Sequence, residues 1–588
     1  MNLKNIYFSW LIYWGKMKGL LNGIAEAIIL LASLASFFVL IYQFGFVQTP
    51  DSVHILERSR PFILLAFFTG ITLRYVVRFQ EIIQEKMLYL DISIYFLLFA
   101  VLSSKIFFKD AIAHSLPYLS FLTKPLFVYV LLLLLSTIHL SRQTFTLMQT
   151  RIKPSLLFLL SFVFVILVGA GLLSLPNATT HRIPFIDALF ISTTSVCVTG
   201  LTTVDVATSF THIGHIIIMI LIQIGGIGVM TFTSFFALSF MGKSSFTSKM
   251  MLKDMLNEDR TGGLFRVILN ILFVTLFIEG IGAYFIYMDV RGSLPGGTQQ
   301  ELFYAMFHAV SAFCNAGFDL MGTNQAYSSL TGYAGDILVS NVIAALIVLG
   351  GLGFFVWKDV VEYKHHLHKY SLQSKVVLFT TATLLIISTL YFFINDFSHW
   401  NMRLADQINV SIFQAVSPRT AGFNTIDLNK MNQSSILFMT LLMLIGGSPQ
   451  GTAGGFKTTT LAVLILSIRA VFNHKQNPQC FGRRISMDTL NNATALFMLF
   501  MVLFFTGALL ISAFDQLPIL DALFEAASAI GTVGLTLGIT PTLSSASHCI
   551  LIFLMFFGRV GGLTLLLAIS KHQVVANANL PQENITIG

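Results

Sequence analysis

Long apolar stretches alternate with short polar connections along most of this 588-residue chain. A helix needs about 20 apolar residues to cross a bilayer, and twelve stretches approach or exceed that length. Four precede residue 150, and the other eight form four pairs. The predicted spans cover residues 22–45, 60–78, 87–104, 122–140, 155–175, 212–240, 265–288, 337–357, 376–394, 434–468, 492–513 and 547–570. The pattern therefore predicts an all-α polytopic membrane protein.

A shorter apolar segment lies between the two spans of each pair and ends on a glycine flanked by small residues. The four segments read TSVCVTGL, SAFCNAGF, SPRTAGF and SAIGTVGL, and their glycines are Gly200, Gly317, Gly422 and Gly534. A phenylalanine precedes the glycine by ten residues in three copies and by nine in the third copy (Phe190, Phe307, Phe413 and Phe524). The glycines recur at intervals of about 110 residues, which predicts four copies of one unit.

These segments are too short to span the membrane and are typical of re-entrant helices. The irregular backbone that follows such a helix is tolerated at membrane depth only where it faces protein or water. Four glycine segments around one axis would present rings of carbonyl oxygens that replace the hydration shell of a monovalent cation. The sequence thus predicts four parallel helix–pore helix–helix repeats around a pseudo-fourfold pore, preceded by about four N-terminal transmembrane helices.

Basic residues are concentrated in the connections that precede or separate the four repeats. They are Arg142, Arg151, Lys153, Lys243, Lys249, Lys253, Arg260, Arg266, Lys358, Lys364, Lys369, Lys375, Arg469, Lys475, Arg483 and Arg484. Because cytoplasmic loops are enriched in Lys and Arg, we expect these connections to be cytoplasmic and the glycine segments to enter from outside. Each repeat crosses twice, so all four have the same orientation and their axis follows the membrane normal.

Composition excludes most soluble classes of protein. Hydrophobic residues make up 55% of the chain and charged residues 11%, against about 25% charge in soluble domains. The net charge of +8 follows the loop pattern and does not indicate nucleic-acid binding. No catalytic motif and no metal-site cysteine spacing is present, so we expect no enzyme and no bound cofactor. A secondary transporter of another solute is the rival class, but it would show inverted repeats and intramembrane acids, and apart from Glu279 the spans carry acids only near their ends.

With these motifs in hand, residues 150–572 resemble the Trk/Ktr/HKT superfamily of potassium transporters, with the bacterial KtrB and TrkH membrane subunits closest. The resemblance rests on the glycine segments, on GGSPQGTAGGFKTTT in repeat three and on FGRVGG in repeat four. It favours potassium, since relatives that prefer sodium have serine where this chain has Gly200. It also implies a selectivity filter made by the carbonyls of Val198, Thr199, Gly200, Asn315, Ala316, Gly317, Thr420, Ala421, Gly422, Thr532, Val533 and Gly534.

The second span of repeat three is interrupted by closely spaced glycines and a proline, which cannot hold a straight helix. The resemblance implies that this loop, residues 446–457, is a gate below the filter, and a passive kink is the alternative. Arg559 lies inside an apolar span, where a charge should face water or a partner. The resemblance implies an electrostatic barrier there, against a snorkelling arginine. The predicted gate comprises Gly446, Gly447, Gly451, Gly454, Gly455, Lys457 and Arg559.

Three further features carry structural interpretations. Paired glycines in the second spans of repeats one and two predict close helix packing. Arg419, beside the third glycine segment, predicts a structural salt bridge behind it. Acids that follow the glycines predict either a field that concentrates cations or loop caps. These glycine pairs and acids are Gly225–Gly226, Gly350–Gly351, Asp205, Asp319 and Asp427.

These observations divide the chain into an N-terminal transmembrane extension, four pore repeats and a short cytoplasmic tail. The predicted boundaries are 1–150, 151–245, 264–358, 375–470, 489–572 and 573–588. The resemblance implies potassium uptake, with sodium permeation or sodium assistance as the alternative, across the bacterial inner membrane with both termini cytoplasmic. It also implies a lipid-embedded homodimer and a separate cytoplasmic RCK-type nucleotide-binding regulatory subunit. The role of the first four spans is left open.

Overall fold

The computed structural model describes residues 3–83, 88–106, 124–148, 154–228, 264–294, 296–322, 326–333 and 335–561. Within these ranges the chain forms nineteen α-helices. They are α1 (Leu3–Gly45), α2 (Pro50–Ile83), α3 (Leu88–Ile106), α4 (Pro125–Met148), α5 (Pro154–Leu173), α6 (Phe185–Cys197), α7 (Val206–Ser209), α8 (His212–Ile227), α9 (Leu264–Val290), α10 (Gly297–Phe313), α11 (Ile337–Gly351), α12 (Phe354–Tyr363), α13 (Leu372–Asn395), α14 (Leu404–Val416), α15 (Gln433–Leu444), α16 (Thr458–Phe472), α17 (Met487–Asp515), α18 (Ile519–Gly531) and α19 (Ser545–Val560).

Helices α1 to α4 form their own small core, and each covers most or all of one of the four predicted spans that precede the repeats. Their apolar faces meet around side chains such as Leu64 and Phe67, which have no exposed surface. The unit is joined to the first repeat by Asn177, whose backbone N–H donates to Gly45 O at 3.0 Å. The N-terminal spans are therefore helical as predicted and contact the first repeat at the end of α1.

Each repeat contains a long first helix (α5, α9, α13 and α17), a short helix (α6, α10, α14 and α18) and a second apolar helix (α8, α11, α15 and α19). The phenylalanine that marks the repeat in the sequence is at most 1% exposed in every short helix (Phe190, Phe307, Phe413 and Phe524). All four side chains belong to one continuous core. The predicted short helices are confirmed, and they occupy the centre of the molecule.

The second helices of repeats one and four end early. Helix α8 stops one residue before Gly228 and α19 one residue before Gly561, and both glycines have left-handed φ, 89° and 83°. Such angles are available to glycine at little steric cost, so each helix ends there. Any continuation of the predicted spans 212–240 and 547–570 lies outside the residues that the structure describes.

The second helices of repeats two and three are broken. Helix α11 ends at Gly351 and the chain turns by 94° into α12, so the predicted span 337–357 is not one straight helix. Gly353, with φ 86°, permits the turn. In repeat three, residues 445–457 separate α15 from α16, and the predicted interruption of span 434–468 is confirmed.

Five of the described helices are long and apolar enough to cross a membrane alone, and a sixth span results if α11 and α12 count as one bent helix. Eight shorter apolar helices accompany them in the described part of the chain. The polytopic all-α fold is therefore present. The count of twelve spans stays a prediction, because several crossings would be made of helices broken at glycine.

A two-stranded antiparallel hairpin, β1 (Gln479–Cys480) and β2 (Arg483–Arg484), lies between α16 and α17. Its turn residue Phe481 packs edge-on against Phe379 of α13, with ring centroids 6.5 Å apart. The hairpin thus covers one end of the space between α13 and α16.

Candidate functional site

The four glycine segments meet in a closed ring. A Cβ atom added to Gly200 would lie 2.5 Å from Ala316 O and 3.1 Å from the Cα of Gly317. The same approach links Gly317 to Gly422, Gly422 to Gly534, and Gly534 back to Gly200. No side chain fits at these contacts, so the ring requires glycine at all four positions. Four glycines that the sequence relates only by spacing are brought together here.

Each segment has an unusual backbone. It begins with a non-glycine residue in the left-handed region and ends with a left-handed glycine, while the residue between them has negative φ. The four opening residues are Val198 (φ 56°), Asn315 (61°), Thr420 (64°) and Thr532 (51°). Such strain costs about 1–3 kcal/mol per residue and clusters at functional sites. The sign of φ alternates along each segment. Such alternation directs successive N–H groups to one side of the chain and leaves the carbonyl groups on the other side.

The N–H groups of the segments bond back to the short helices. In repeats one, two and four the middle residue donates to the carbonyl five residues earlier at 2.7–2.8 Å (Thr199 to Thr194, Ala316 to Ser311 and Val533 to Ser528). In repeat three, Ala421 donates to Ser417 O, four residues earlier, at 3.0 Å. This turn is one residue shorter, which explains why Phe413 lies nine residues from its glycine and not ten.

The carbonyls of the ring have no such partners. Among the described residues, none of the twelve carbonyls of 198–200, 315–317, 420–422 and 532–534 accepts a hydrogen bond. Buried backbone carbonyls are usually paired, and a ring of unpaired carbonyl oxygens is the chemistry that binds a dehydrated monovalent cation. All twelve predicted filter residues are therefore assembled in one place, and their role in ion selection stays a prediction.

One hydroxyl in each short helix supports its segment, a feature that the sequence interpretation missed. Thr194 and Ser528 accept from the N–H groups of Gly200 and Gly534 at 2.9 and 3.0 Å. In the other two repeats the hydroxyl donates to the carbonyl after the glycine, Ser311 to Phe318 O and Ser417 to Phe423 O. The signal was available: a hydroxyl stands six residues before the glycine in three copies and five in the shorter third copy.

A second missed feature is a layer of buried polar side chains behind the ring. His308, Gln414 and Glu525 occupy equivalent positions in the short helices of repeats two, three and four, and Ile191 fills that position in repeat one. Glu525 has no exposed surface and accepts hydrogen bonds from the hydroxyls of Thr536 and Thr540, the latter at 3.0 Å. The carboxylate therefore anchors the chain that leaves the ring in repeat four.

The other two members of this layer differ from Glu525. His308 Nε2 accepts from Leu320 N at 3.3 Å, while its Nδ1 lies 2.8 Å from Tyr304 O. The amide atoms of Gln414 have no hydrogen-bond partner among the described residues. Only repeat four thus places a carboxylate in this layer.

The loop of repeat three, residues 446–457, lies directly beneath the ring and is largely buried. Its backbone is tied to repeat two, since Ser448 N donates to Gly351 O at 2.9 Å and Thr452 N to Gly350 O at 3.1 Å. The Thr452 hydroxyl also donates to Phe313 O at 3.0 Å, at the end of the short helix α10. The loop therefore contacts the base of the ring.

The same loop is closed on itself and against repeat four. Gly446 N donates to Phe456 O at 2.9 Å, and Lys457 Nζ donates to Ala453 O at 2.7 Å. A Cβ on Gly454 would collide with the Thr532 hydroxyl. All the predicted gate positions in the loop are brought together, in a segment that hydrogen bonds and glycine contacts hold in place.

Arg559 joins three repeats below the ring. Its guanidinium donates to the carbonyl of Thr452 in the loop and to that of Gly225 in α8, with a longer contact of 3.5 Å to Gly226 O. The side chain is partly exposed. A charge at membrane depth needs such partners, and these bonds exclude a snorkelling arginine. The electrostatic barrier stays a prediction.

The glycine pairs pack as predicted. A Cβ on Gly225 would collide with Val196 O, and a Cβ on Gly350 with Phe313 O. Both carbonyls lie at the end of the short helix of the same repeat, so close packing is confirmed in repeats one and two. In repeat four it is Gly558 that makes the equivalent contact, with Ile530 O.

Two charged residues behind the ring, Arg419 and Glu279, differ in the partners that they contact. Arg419 forms no salt bridge with any residue that the structure describes, so the predicted ion pair is not found there. The side chain is 8% exposed, lies among apolar residues such as Ile347 and Leu385, and donates to the Thr381 hydroxyl at 3.4 Å. Glu279 accepts from Gln223 Nε2 at 3.0 Å. This intramembrane acid therefore links repeats one and two.

The acids after the ring act at least partly as caps. Asp205 caps the short helix α7 through Thr208 N at 3.0 Å and accepts from Tyr327 N at 2.7 Å. Asp427 accepts from Asn429 N at 3.1 Å. For Asp319, burial raises the pKa of the carboxyl to about 6, and the nearby Asp205 adds to the effect. Asp319 also accepts from Met321 N at 2.9 Å, so the loop caps are confirmed for all three acids, and a role in concentrating cations stays a prediction.

A polytopic all-α fold whose four repeats close a ring of unpaired carbonyls defines a membrane transport protein for cations. Residues 128–579 match the family described as TrkH, Cation transport protein, and the chain belongs to this family. The match begins within α4, so it includes the last helix before the first repeat. The sequence-based resemblance is thereby confirmed.

This chain covers almost the full length of two similar proteins. The chain is 37% identical over 454 residues to the potassium/sodium uptake protein NtpJ of Enterococcus hirae, which spans 75% of this chain and 98% of the relative. It is 37% identical over 442 residues to the Ktr system potassium uptake protein B of Bacillus subtilis, with 74% and 97% covered. The crystal structure of the potassium transporter TrkH from Vibrio parahaemolyticus has the same fold, with a TM-score of 0.60 at 16% identity over 82% of this chain and 96% of that one.

Proposed function

We propose that the chain takes up potassium through the ring of glycine segments, across the bacterial cytoplasmic membrane. The observation that carries the proposal is the closed ring, in which four glycines touch and twelve carbonyls are left unpaired among the described residues. The names of the relatives, potassium uptake protein B and potassium/sodium uptake protein, support potassium as the substrate. Passage of an ion makes and breaks no covalent bond, so the proposal requires neither enzymatic chemistry nor a cofactor.

In this proposal the loop 446–457 and Arg559 form the gate. The loop touches the base of the ring, and Arg559 holds it to α8 through Thr452 and Gly225. Opening would break these bonds together, so the closed state is the default and an outside free-energy input is needed. Differential contact between two states is the requirement for such a switch.

The input in this proposal is a cytoplasmic RCK-type nucleotide-binding subunit that docks on the inter-repeat connections of a homodimer. The name of the relative, Ktr system protein B, is that of one component of a system and supports a partner. The positive-inside pattern supports cytoplasmic inter-repeat connections and cytoplasmic termini.

Ion flux in proteoliposomes tests the proposal. We expect the purified chain to carry rubidium and potassium without any organic substrate, and Gly422→Ser to lower the preference for potassium over sodium. Equal flux of potassium and sodium in the wild type would favour the sodium-permeable alternative, and stimulation of potassium flux by added sodium would favour sodium assistance. Absence of any cation flux in correctly inserted protein would contradict the proposal.

Deletion of residues 447–454 tests the gate separately. We expect higher basal flux that no longer responds to a nucleotide-binding partner. Wild-type flux and regulation in the deletion variant would show that the loop is a structural kink.

A further inference from the structure

A groove of about 770 Å³ runs between α13 and α16 on the outer side of repeat three. Its walls are apolar side chains, among them Leu384 and Ile387 of α13 and Leu461 and Ile465 of α16. Ile387 is 54% exposed and Ile465 is 55% exposed. In a membrane-spanning fold, such exposed apolar walls face lipid.

One end of the groove is cationic. Arg469 at the end of α16 and Lys475 after it belong to the lining, and both side chains are exposed. Among the described residues that line the groove there is no Asp or Glu. The hairpin covers this end through the contact between Phe481 and Phe379. The groove therefore combines an apolar slot with a positive mouth and no compensating acid.

We propose that this groove binds an anionic phospholipid, with an acyl chain between α13 and α16 and the phosphate between Arg469 and Lys475. Basic pockets between transmembrane helices bind anionic head groups in this way. From Leu461 to Arg469 the helix rises about 12 Å at 1.5 Å per residue, which matches the upper part of an acyl chain.

A second groove in the same molecule supports the choice of ligand. It has about 640 Å³, lies between α9 and α12, and is also mainly apolar. Its polar lining includes Lys358 and Glu362, one charge of each sign. An anionic head group gains much less electrostatic binding free energy beside this pair of opposite charges, so the second groove serves as an internal control.

The lipid would hold a helix that matters to the rest of the molecule. Helix α16 begins at Thr458, directly after the loop 446–457, and Thr458 N donates to Gly447 O at 3.0 Å. A lipid that fastens α16 to α13 therefore stabilises the C-terminal anchor of the loop. The binding proposal stands independently of whether the loop is a gate.

Lipid binding by the purified full-length chain tests the proposal. Native mass spectrometry and thermal unfolding would compare phosphatidylglycerol with phosphatidylcholine of the same acyl chains in neutral detergent. With two cations at the mouth, we expect phosphatidylglycerol to bind roughly tenfold tighter or more. The double variant Arg469→Gln/Lys475→Gln should reduce this preference to about twofold or less, while Lys358→Gln in the second groove should leave it unchanged.

A groove-filling variant gives a second measurement. Thr383 lines the groove, so Thr383→Trp should weaken the binding of both lipids while the positive charge at the mouth of the groove stays the same. The proposal is overturned if the double variant keeps the full preference for phosphatidylglycerol over phosphatidylcholine. It is also overturned if inorganic phosphate raises the unfolding temperature as much as phosphatidylglycerol does. It is also overturned if the double variant changes the oligomeric mass with no change in lipid preference, because the groove would then be an interface between copies.

Discussion

In the ring, every repeat supplies the same three backbone positions, whereas in the layer directly below each repeat supplies something different. Repeat three contributes the loop 446–457, repeat four contributes Arg559, and repeat two turns by 94° after Gly351. Repeat one ends its helix at Ile227 and offers carbonyls to Arg559. The two layers are adjacent and are built by the same four units.

The proposed function accounts for this difference. A cation without its water shell needs equivalent oxygens on all sides, which four similar segments would supply. A switch needs one element that biases two states, and four equal elements would have to move together. On this proposal, sequence symmetry is kept where an ion would be coordinated and lost where movement would be controlled.

The largest effect is expected from the ring glycines. Gly200→Ser, Gly317→Ser, Gly422→Ser and Gly534→Ser should each lower the potassium-to-sodium permeability ratio by roughly tenfold or more, equivalent to about 1.4 kcal/mol, because a side chain at any of them meets a neighbouring carbonyl. Reversal potentials in planar bilayers measure the ratio.

Gly538→Ser is the matched control for these four variants. Gly538 has φ 88°, close to the 95° of Gly200, but nothing within 4 Å of an added Cβ. The control carries the backbone strain without the contact, so it should keep the wild-type ratio. A response from only one of the four ring glycines would break the claim of symmetry.

A smaller but clear effect is expected from Arg559 in the lower layer. Arg559→Gln removes a charge whose repulsion of a cation about 6 Å away is roughly 3 kcal/mol at an effective dielectric of 20, before screening. Basal rubidium flux should rise severalfold. Arg559→Lys keeps the charge, but an ammonium group cannot bond to two carbonyls in the fixed geometry of a planar guanidinium. The flux of Arg559→Lys should therefore lie between that of the wild type and that of Arg559→Gln.

The lysine variant separates the effect of the charge from the effect of the hydrogen bonds. If it matches wild type, charge alone accounts for the barrier. If it matches Arg559→Gln, the tie between α8 and the loop is what limits flux. Unaltered flux in both variants, at normal insertion, would remove Arg559 from the pathway.

A moderate effect is expected from Glu525, which breaks the symmetry behind the ring. Glu525→Gln keeps the shape but weakens the bonds from Thr536 and Thr540, at about 1 kcal/mol. The potassium-to-sodium ratio should fall by roughly fivefold, with a lower unfolding temperature. Asp521→Asn, in the first turn of the same helix, keeps both threonine bonds to Glu525 and should leave the potassium-to-sodium ratio close to wild type, although loss of its charge at the helix N-terminus lowers the unfolding temperature.

The smallest effect is expected from pH at the outer side of the ring. Asp319 has a pKa of about 6, above the ordinary value of about 3.9, so the native state binds its proton more tightly than the unfolded chain does. Stability should therefore fall as pH rises from about 4 to 6, and uptake from dilute rubidium should fall as pH drops below 6 and the charge is lost.

Asp319→Asn should remove both dependences, and unfolding temperature and initial uptake rate measured from about pH 4 to 7.5 would show this. Asp427→Asn, at a more exposed acid after another ring glycine, should keep the wild-type profile. A wild-type profile in Asp319→Asn would exclude Asp319 as the titrating group.

The sequence predicted the ring better than the surroundings of the ring. Spacing alone placed Gly200 with its three counterparts, because each repeat contributes locally the same turn. The fate of the second helices was harder to predict. Gly350 and Gly351 fit both a packed helix and a helix end, and the turn after Gly351 depends on contacts with the loop of repeat three, since Ser448 N reaches Gly351 O.

Among the described residues Arg419 has a hydroxyl partner and not the predicted acid, for a similar reason. The sequence shows a cation beside the glycine segment, and a buried cation usually has an acid. Thr381, its hydroxyl partner, lies 38 residues away, and nothing in the local pattern relates the two positions. Glu525 was overlooked because its role depends on threonines that follow the ring and fold back over the short helix.

By itself, the sequence determined the all-α membrane class, the four repeats, the short helices, the four glycines that end the segments and the interruption in repeat three, because these follow from local hydrophobicity and backbone freedom. The tertiary structure alone decided which repeat touches which, that the four glycines close into a ring, and that Arg559 bridges α8 to the loop of repeat three. Those contacts join residues more than 100 positions apart, and they depend on how the helices of different repeats pack, which no local pattern encodes.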